Sequence, residues 1–421
     1  MSGILPRPVL WLLAAVGLAR GIHDGLPMLR AELHYHAALA AVDREEFDAA
    51  GNRMRSCFML APGDARTHIL AAQTARRTGQ YDLAAEELRI GRELGWDPMG
   101  IQAEEAMLAF QRGDFDPRVE SILRTWADAA DADPTLAVEA LGQGYMRTYR
   151  LGLALDYLSR WVERRPNSVA ARMRRGWVFE RLERWEEAEA EYRHVIDLRP
   201  EYRPGRLRFA QVLRIRGQLE PAVAEFERLR GETPDDPQIA TGLGQSLSGL
   251  GRDEEAAIQL LKAAAADPKN ALAVLELGAV AMRGGRLNEA SDFFQKAIDA
   301  APEDYQPHYQ MYLCQQRLGR PERVAFEEAK FKKIAADLKL INELTQELQT
   351  RPNDPELRFR IAEIFFRRGE EAEGAVWLES VVQVRPNHVA ARNQLVAYYD
   401  RIGRSGKADA HRWTVAGASS D

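Results

Sequence analysis

The chain has 421 residues, of which 46% are hydrophobic and 29% are charged, and its formal net charge at pH 7 is −6. The hydrophobic fraction is too high for an intrinsically disordered chain. A protein dedicated to nucleic acid would need a basic excess to displace counterions from phosphates, so the charge argues against that class of partner. The two cysteines, Cys57 and Cys314, cannot form a disulfide framework, and we expect both to be buried as small apolar side chains.

An apolar run lies near the N-terminus, from Val9 to Ala19, between Arg7 and Arg20. As a helix it would rise only about 16 Å, which is well short of the bilayer core. Its length suits the core of a signal peptide or a short membrane anchor over residues 4–19, which favours the cell envelope over the cytoplasm. The alternative is an apolar cap that packs on the first repeat. Residues 1–30 are therefore set apart, with export, anchoring and capping all open.

The prolines recur at a fixed interval along the rest of the chain. A second feature has the same period: in the regular units a small residue lies 24 positions before the closing proline and another lies 12 before it, as with Gly244 and Ala256 before Pro268. Agreement between two independent features predicts an internal repeat of about 34 residues. The prolines at this step are Pro166, Pro200, Pro234, Pro268 and Pro302, followed after a longer gap by Pro352 and Pro386.

Each repeat has the pattern of two helices joined by a short turn. Apolar residues such as Leu287, Ala290, Phe294 and Ile298 recur at helical spacing, which predicts an amphipathic helix with one buried stripe. The small residues predict the place where the two helices cross closely. The closing proline ends the second helix. A glycine able to adopt positive φ marks most turns: Gly79, Gly217, Gly251, Gly285, Gly319, Gly369 and Gly403.

The segments Glu183 to Pro200 and Gly285 to Pro302 resemble the second half of a tetratricopeptide repeat, and the whole resembles a long array of bacterial type. The resemblance implies an all-α, right-handed superhelical solenoid of antiparallel helix pairs with about ten or eleven units. Such arrays hold other proteins and carry out no chemistry of their own. We place unit starts near Ala31, Ala65, Met99, Thr135, Val169, Arg203, Pro237, Ala271, Tyr305, Pro355 and Val389.

The regularity of the repeat varies along the chain and predicts its domain organisation. Residues 31–134 are degenerate repeats, and residues 135–336 are a regular array. The step from Pro302 to Pro352 contains 16 additional residues, which predict a prolonged or an additional helix over 337–354. A C-terminal pair of repeats follows over 355–414, and residues 415–421 are expected to be a disordered tail.

The repeats leave no room for an independent catalytic domain. The sequence contains no glycine-rich phosphate loop, no Cys-x-x-Cys and no nucleophile elbow, so we predict no enzyme activity, no cofactor and no metal. The carboxylates Glu186, Glu187, Glu189 and Glu191 are expected to lie on a solvated helix face, paired with neighbours such as Arg184 and Arg193.

The resemblance also implies where a partner would bind. In such repeats the fifth and ninth positions of a unit face a groove, and the sixth lies beside them. The lysine and asparagine set that grips a peptide carboxylate in some family members is absent, as is an asparagine ladder. The positions carried over are Met173, Trp177, Leu207, Gln211, Thr241, Gln245, Leu275, Ala279, Tyr309 and Leu313, with Arg174 and Arg208 at the sixth position.

Charge is distributed unevenly along the regular array. Residues 147–230 contain 19 basic and 13 acidic residues, whereas residues 232–304 contain 6 basic and 13 acidic ones. A basic stretch suits an acidic partner, and the bipolar array also favours head-to-tail association of identical chains. The leading hypothesis is a non-catalytic scaffold that binds a protein or peptide segment in the groove. The alternative is a self-associating structural component of the cell envelope, hence a homo-oligomer.

Overall fold

The structure is a computed structural model that describes residues 26–112, 117–129, 134–351 and 353–418, apart from the side chains of residues 349 and 413–418. The apolar run Val9 to Ala19 and the last three residues of the predicted tail lie outside this range. Within it all regular structure is helical and no strand occurs.

In the described ranges the helices follow one another in eleven pairs, which confirms the predicted all-α repeat of helix pairs. From the second unit onward, each predicted unit start falls within one residue of the start of a first helix, and Ala31 lies within the helix described over 26–43. The first helices are α1 (26–43), α3 (Ala65–Arg77), α5 (Pro98–Arg112), α7 (Thr135–Arg147), α9 (Val169–Arg181), α11 (Arg203–Ile215), α13 (Pro237–Gly249), α15 (Ala271–Arg283), α17 (Tyr305–Arg317), α19 (Pro355–Arg367) and α21 (Val389–Arg401). The second helices are α2 (Phe47–Leu60), α4 (Tyr81–Glu93), α6 (Pro117–Asp128), α8 (Leu151–Arg164), α10 (Trp185–Leu198), α12 (Leu219–Glu232), α14 (Asp253–Ala266), α16 (Leu287–Ala300), α18 (Pro321–Thr350), α20 (Glu371–Val384) and α22 (Ser405–Ala418).

The turn inside each pair has the backbone conformation that the sequence predicts. All seven predicted turn glycines have positive φ, between 69° and 81°. Three residues that are not glycine also have positive φ, namely Glu45 at 59°, Tyr149 at 52° and Glu183 at 57°. Each of these stands where its repeat would otherwise place the turn glycine. A side chain in this left-handed region costs about 1–2 kcal/mol, so these three turns are strained.

The small residues lie at the helix crossings, as expected, but an aromatic or leucine ring sets the limit on their size. A Cβ added to Gly278 would lie 2.4 Å from Phe294, and one added to Gly244 would lie 2.6 Å from Leu260. The partner alanine is close as well, since the Ala256 carbonyl oxygen would lie 3.3 Å from that Gly244 Cβ. The glycine therefore accommodates a large side chain of the second helix in addition to the close backbone approach.

The described chain divides into two compact units. Unit 1 contains residues up to 147 together with 160–170, and unit 2 contains residues 148–159 and 171 onward. Unit 1 has small cores of alanine, leucine and isoleucine between successive helices. It also contains a contact between distant turns: the carboxylate of Glu45 accepts hydrogen bonds from the Ser168 hydroxyl and, at 2.9 Å, from the Ala170 backbone N–H.

Unit 2 has a continuous core between α9 and α15 and a second core from α18 to α22. Its first helices contact one another, α11 with α13, α13 with α15 and α15 with α17. Its second helices pack on the flanking first helices, without a comparable contact among themselves in the described part of the chain. The first helices are therefore closer together and line the inner side of the array.

The longer step between Pro302 and Pro352 comes from a single helix. Of the two alternatives, a prolonged or an additional helix, the structure shows the first, since α18 runs without interruption over 30 residues from Pro321 to Thr350. The last helix, α22, continues to Ala418, so the segment expected to be a disordered tail starts within a helix. The domain boundaries drawn from the sequence stay a prediction.

One expectation about surface charge is wrong. Glu189 and Glu191 are only 6% and 7% exposed, although the sequence predicts a solvated carboxylate face. Each is paired with arginines from the neighbouring first helices: Glu189 with Arg216, just after α11, and Glu191 with Arg172 and Arg175 of α9. Glu189 also pairs with Arg193 of its own helix. These carboxylates join adjacent helices, and the intrahelical pairing predicted for the cluster holds for Arg193 and for Arg184 with Glu187.

The expectation for the two cysteines is confirmed. Cys57 and Cys314 are 1% and 0% exposed, and both are free thiols. Burial raises the pKa of both thiols, which keeps them protonated and unreactive.

Candidate binding surface on unit 2

The inner face of unit 2 is formed by matching positions of successive first helices. On α11, Leu207, Gln211 and Arg214 are spaced by four and three residues, so their side chains lie on one side of the helix. On α13 the same spacing brings Gln245 and Ser248 together. We call the surface made by these positions on α9, α11, α13, α15 and α17 the inner face.

Most of the residues predicted to face the groove are half-buried, and their role in binding stays a prediction. Thr241 differs, because it is 5% exposed and its hydroxyl bonds within the repeat, to the Pro237 carbonyl and the Asn270 side chain. Met173, Leu207 and Leu275 also pack against the hydrophobic core. The half-buried set is Met173, Arg174, Trp177, Leu207, Arg208, Gln211, Gln245, Leu275, Tyr309 and Leu313.

Tyr309 belongs to an aromatic cluster at the far end of the inner face. Its ring stacks on Tyr305, with centroids 5.6 Å apart, and contacts Phe331 of α18 edge-on at 5.5 Å. Tyr312 contacts the same Phe331 ring at 5.2 Å. Tyr309 therefore supports the packing of α17 against the long helix in addition to presenting surface.

Trp177 and Arg208 also have partners within unit 2. The Trp177 ring lies 6.4 Å from that of Tyr149, and the Arg181 guanidinium is 5.3 Å from its centroid. Arg208 lies 3.5 Å from the Glu180 carboxylate, which also accepts a hydrogen bond from the Tyr192 hydroxyl. That contact and burial together raise the pKa of Tyr192. The predicted groove residues are thus held in place by neighbours.

Arg214 also lies on the inner face, although it is not among the groove positions that the resemblance implies. It makes no hydrogen bond or ion pair with the residues that the structure describes, and its buried Nε has no acceptor. Burial lowers the pKa of Arg214, against the opposing attraction of Glu276. The signal was present in the sequence, because Arg214 follows Leu207 and Gln211 at helical spacing.

The groups beyond Arg214 are already paired with each other. The Ser248 hydroxyl donates to Glu276 at 2.5 Å and accepts from Arg283 at 2.6 Å, and Arg283 is also paired with Asp253 at 2.6 Å. The Glu276 carboxylate therefore already accepts a hydrogen bond from Ser248. The Nε–H of Arg214 is left without an acceptor on the inner face.

A second concave surface lies beside the long helix α18. It is an open cleft of about 560 Å³ lined by the turn 301–305, Leu338 and the turn 368–370. Arg368, which is 6% exposed, bridges these two turns by donating to the Glu303 carbonyl oxygen at 3.0 Å and by pairing with Glu370 at 2.6 Å. Leu338, which lies in the prolonged part of α18, forms one wall of this cleft.

Two features are absent from the residues that the structure describes. No cluster of three or more histidine, cysteine, aspartate or glutamate side chains is placed to hold a metal ion. In the same described ranges, no helix combines the length and the apolarity needed to cross a bilayer.

Comparisons with known sequences identify the repeat. Residues 139–203 and 207–271 match one family model described as tetratricopeptide repeat, and residues 252–313 match a second one with the same description. No curated protein matches the sequence.

The chain is also similar to several solved structures. One is MamA, residues 41 to the end, from Desulfovibrio magneticus RS-1, with 22% identity over 42% of this chain and 99% of that one and a TM-score of 0.38. Another is PilW, a type IV pilus biogenesis factor, with 19% identity over 48% and 94% and a TM-score of 0.43. A third is a chain of the APC/C hetero-tetramer Cut9–Hcn1. The match spans 92% of this chain and 88% of that one, with 14% identity and a TM-score of 0.37. Similarity at this level bears on neither the partner nor the role.

Proposed function

The chain is a tetratricopeptide-repeat protein, and from that premise we propose that it is a non-catalytic scaffold whose unit 2 binds an extended segment of a partner protein along the inner face. The segment carries at least one acidic side chain or a carboxylate, which pairs with Arg214. The mixed apolar and neutral-polar wall around Arg214, including Leu207, Gln211 and Gln245, suits a segment of ordinary composition that lies along the helices.

The observation that carries this proposal is the state of Arg214. A guanidinium that has lost part of its hydration and has no carboxylate within ion-pairing distance is held at a cost in free energy. A partner carboxylate would recover that cost on binding, and Arg is among the residues most often found at binding hot spots. The basic excess over residues 147–230 would attract an acidic segment to the same region.

The test is site-specific photo-cross-linking in cells that express the full chain. A photoreactive residue is placed at Gln211 or at Gln245 on the inner face, and at Lys262 or Lys296 on the exposed side of second helices as matched controls. We expect one discrete adduct from the inner-face positions and none from the controls, because the partner contacts the first helices.

A second variant separates recognition from proximity. Arg214→Gln keeps the side chain polar but removes the charge, so we expect the adduct from Gln245 to weaken by about tenfold, which corresponds to about 1.4 kcal/mol of lost binding. Adducts that form equally from Lys262, or that are unaffected by Arg214→Gln, would argue against inner-face binding. The prediction of a cell-envelope location is checked in the same experiment, by fractionating the adduct.

A further inference from the structure

The turn at residues 148–150 departs from the repeat in a way that costs free energy. Tyr149 has positive φ, where seven other turns have glycine. Glu183 shows the same departure one repeat later, but its side chain is exposed and forms no hydrogen bond or ion pair with the residues that the structure describes. Strain at a non-glycine residue persists only where surrounding contacts hold it, so the contacts of Tyr149 need an explanation.

All three residues of this turn contact residues more than 200 positions later in the chain. The Thr148 carbonyl oxygen accepts from Nη1 of Arg358 at 3.3 Å, and the Tyr149 ring stacks on Trp377 with centroids 5.5 Å apart. The guanidinium of Arg150 donates to the Asn353 side-chain oxygen at 2.6 Å. These contacts join the beginning of unit 2 to α19 and α20.

The surface that receives the turn departs from the repeat as well. In four of the described units a basic residue at the fourth position of the first helix pairs with a glutamate 19 residues later, as Arg206 does with Glu225. For Arg358 that later position is Trp377, so the Thr148 carbonyl and the Tyr149 ring meet an arginine and a tryptophan where a salt bridge would otherwise form. Burial and the nearby charge of Arg150 lower the pKa of Arg358 to about 10. Both the 148–150 turn and the surface that it contacts therefore differ from the corresponding positions of the other repeats.

We propose that the surface formed by Asn353, Arg358 and Trp377 is a docking site for the 148–150 turn of a second copy of this chain. The contact seen within one chain is then exchanged between two. Donor and acceptor lie at the two ends of one array, so a contact between copies joins different surfaces, which is the head-to-tail type of interface. The turn and the surface are known to be complementary, because they already contact each other within one chain.

Exchange requires a single turn of the chain to leave this surface, and strain at Tyr149 favours that step. The contact includes the stacking of Tyr149 on Trp377, packing of Tyr149 against the core of α18 to α22, and the hydrogen bonds of Thr148 and Arg150. The intervening repeats mainly contact their neighbours, so a small bend can be distributed over several interfaces. At low concentration the contact within the chain prevails through its higher effective concentration, and at high concentration the contact between chains competes.

The test uses two variants of the full chain, each with one added cysteine, and a short thiol cross-linker. Arg150→Cys is mixed with a differently tagged Asn353→Cys at rising chain concentration, and the native thiols of Cys57 and Cys314 are buried. We expect a covalent heterodimer whose yield rises with concentration. Glu183→Cys replaces Arg150→Cys in the matched control, since it lies on an equivalent turn without distant contacts, and we expect its yield to be severalfold lower.

Dependence on the aromatic ring completes the test. Adding Tyr149→Ala to the Arg150→Cys chain is expected to reduce the heterodimer to the level of the Glu183→Cys control. Equal yields from positions 150 and 183, or a yield that does not depend on Tyr149, would overturn the proposal.

A label-free measurement covers the case in which Arg150→Cys does not fold. By sedimentation equilibrium we expect the mass of the wild type to rise with concentration, and Tyr149→Gly to stay monomeric. Glycine suits this turn, so that variant retains the fold. A wild type that stays monomeric throughout would also overturn the proposal. This inference goes beyond the proposed function, and the purified chain alone tests it without any other partner.

Discussion

At the scale of single residues, the fourth position of the first helix holds successive repeats together. Arg206 pairs with Glu225 of the second helix and donates to the Pro200 carbonyl, each at 2.5 Å. His308 occupies the same place in its unit: Nδ1 lies 2.6 Å from Glu327, and Nε2 lies 3.0 Å from the Pro302 carbonyl oxygen. A cation at this position thus links the closing proline of one unit to the second helix of the next.

His308 makes this link dependent on pH. Burial by itself disfavours the charged ring, but the hydrogen bonds to Glu327 and to the Pro302 carbonyl outweigh it and raise the pKa of His308 above its ordinary value. Because the folded-state pKa lies above the unfolded one, the stabilisation is complete below about pH 6.5 and is lost as pH rises through the folded-state pKa.

We predict that His308→Arg removes this dependence. Arginine keeps its charge at neutral and alkaline pH, and Arg206 shows that the site accepts it. The midpoint of urea unfolding should therefore fall less between pH 6 and pH 9 in the variant than in the wild type. The same slope in both proteins would show that His308 carries no charge in the folded chain.

At the scale of helix pairs, small residues and large rings fit together at each crossing. The space beside Gly278 is filled by Phe294, which is fully buried, and Gly176 has the same relation to Tyr192. Gly51, by contrast, lies in α2 with no atom within 4 Å of an added Cβ. The two kinds of helical glycine should therefore respond to alanine with opposite signs.

We predict that Gly278→Ala destabilises the chain by about 1–3 kcal/mol, because the Phe294 ring must move within a packed core. Gly51→Ala should stabilise it by about 0.5–1 kcal/mol, since alanine favours the helix and meets nothing. Thermal unfolding of both variants beside the wild type measures the difference. Stabilisation by Gly278→Ala would mean that the crossing is looser than the structure shows.

At the scale of the whole molecule, stability is local because each helix pair contacts mainly its neighbours. His308→Ala leaves the Glu327 carboxylate, which is 1% exposed, without its partner at a cost of about 3 kcal/mol. The loss should be confined to the repeats around α17 and α18.

Amide hydrogen exchange measures this locality. In His308→Ala we expect faster exchange in α16, α17 and α18, and unchanged exchange in α3 and α4 of unit 1. Faster exchange throughout the chain would instead indicate that the array unfolds as one cooperative body.

The sequence by itself determined the repeat, the turns and the positions of the crossings. Spacing alone placed the unit starts at Thr135, Val169 and Arg203, because proline, glycine and small residues act on the local backbone. A basic residue at the fourth position is also visible in the sequence of several units, but the sequence does not indicate its role. These residues are His68, Arg172, Arg206, His308, Arg358 and Arg392.

Only the tertiary structure decided which charges pair and which distant segments meet. Glu189 and Glu191 have the sequence context of a solvated face, and arginines from other helices bury them. Nothing in the local sequence of Tyr149 indicates Trp377, because the meeting of these rings depends on small rotations summed over the repeats between them. The unpaired Nε–H of Arg214 also depends on the tertiary structure. Its possible partners lie on neighbouring helices, and the repeat pattern does not distinguish these helices from one another.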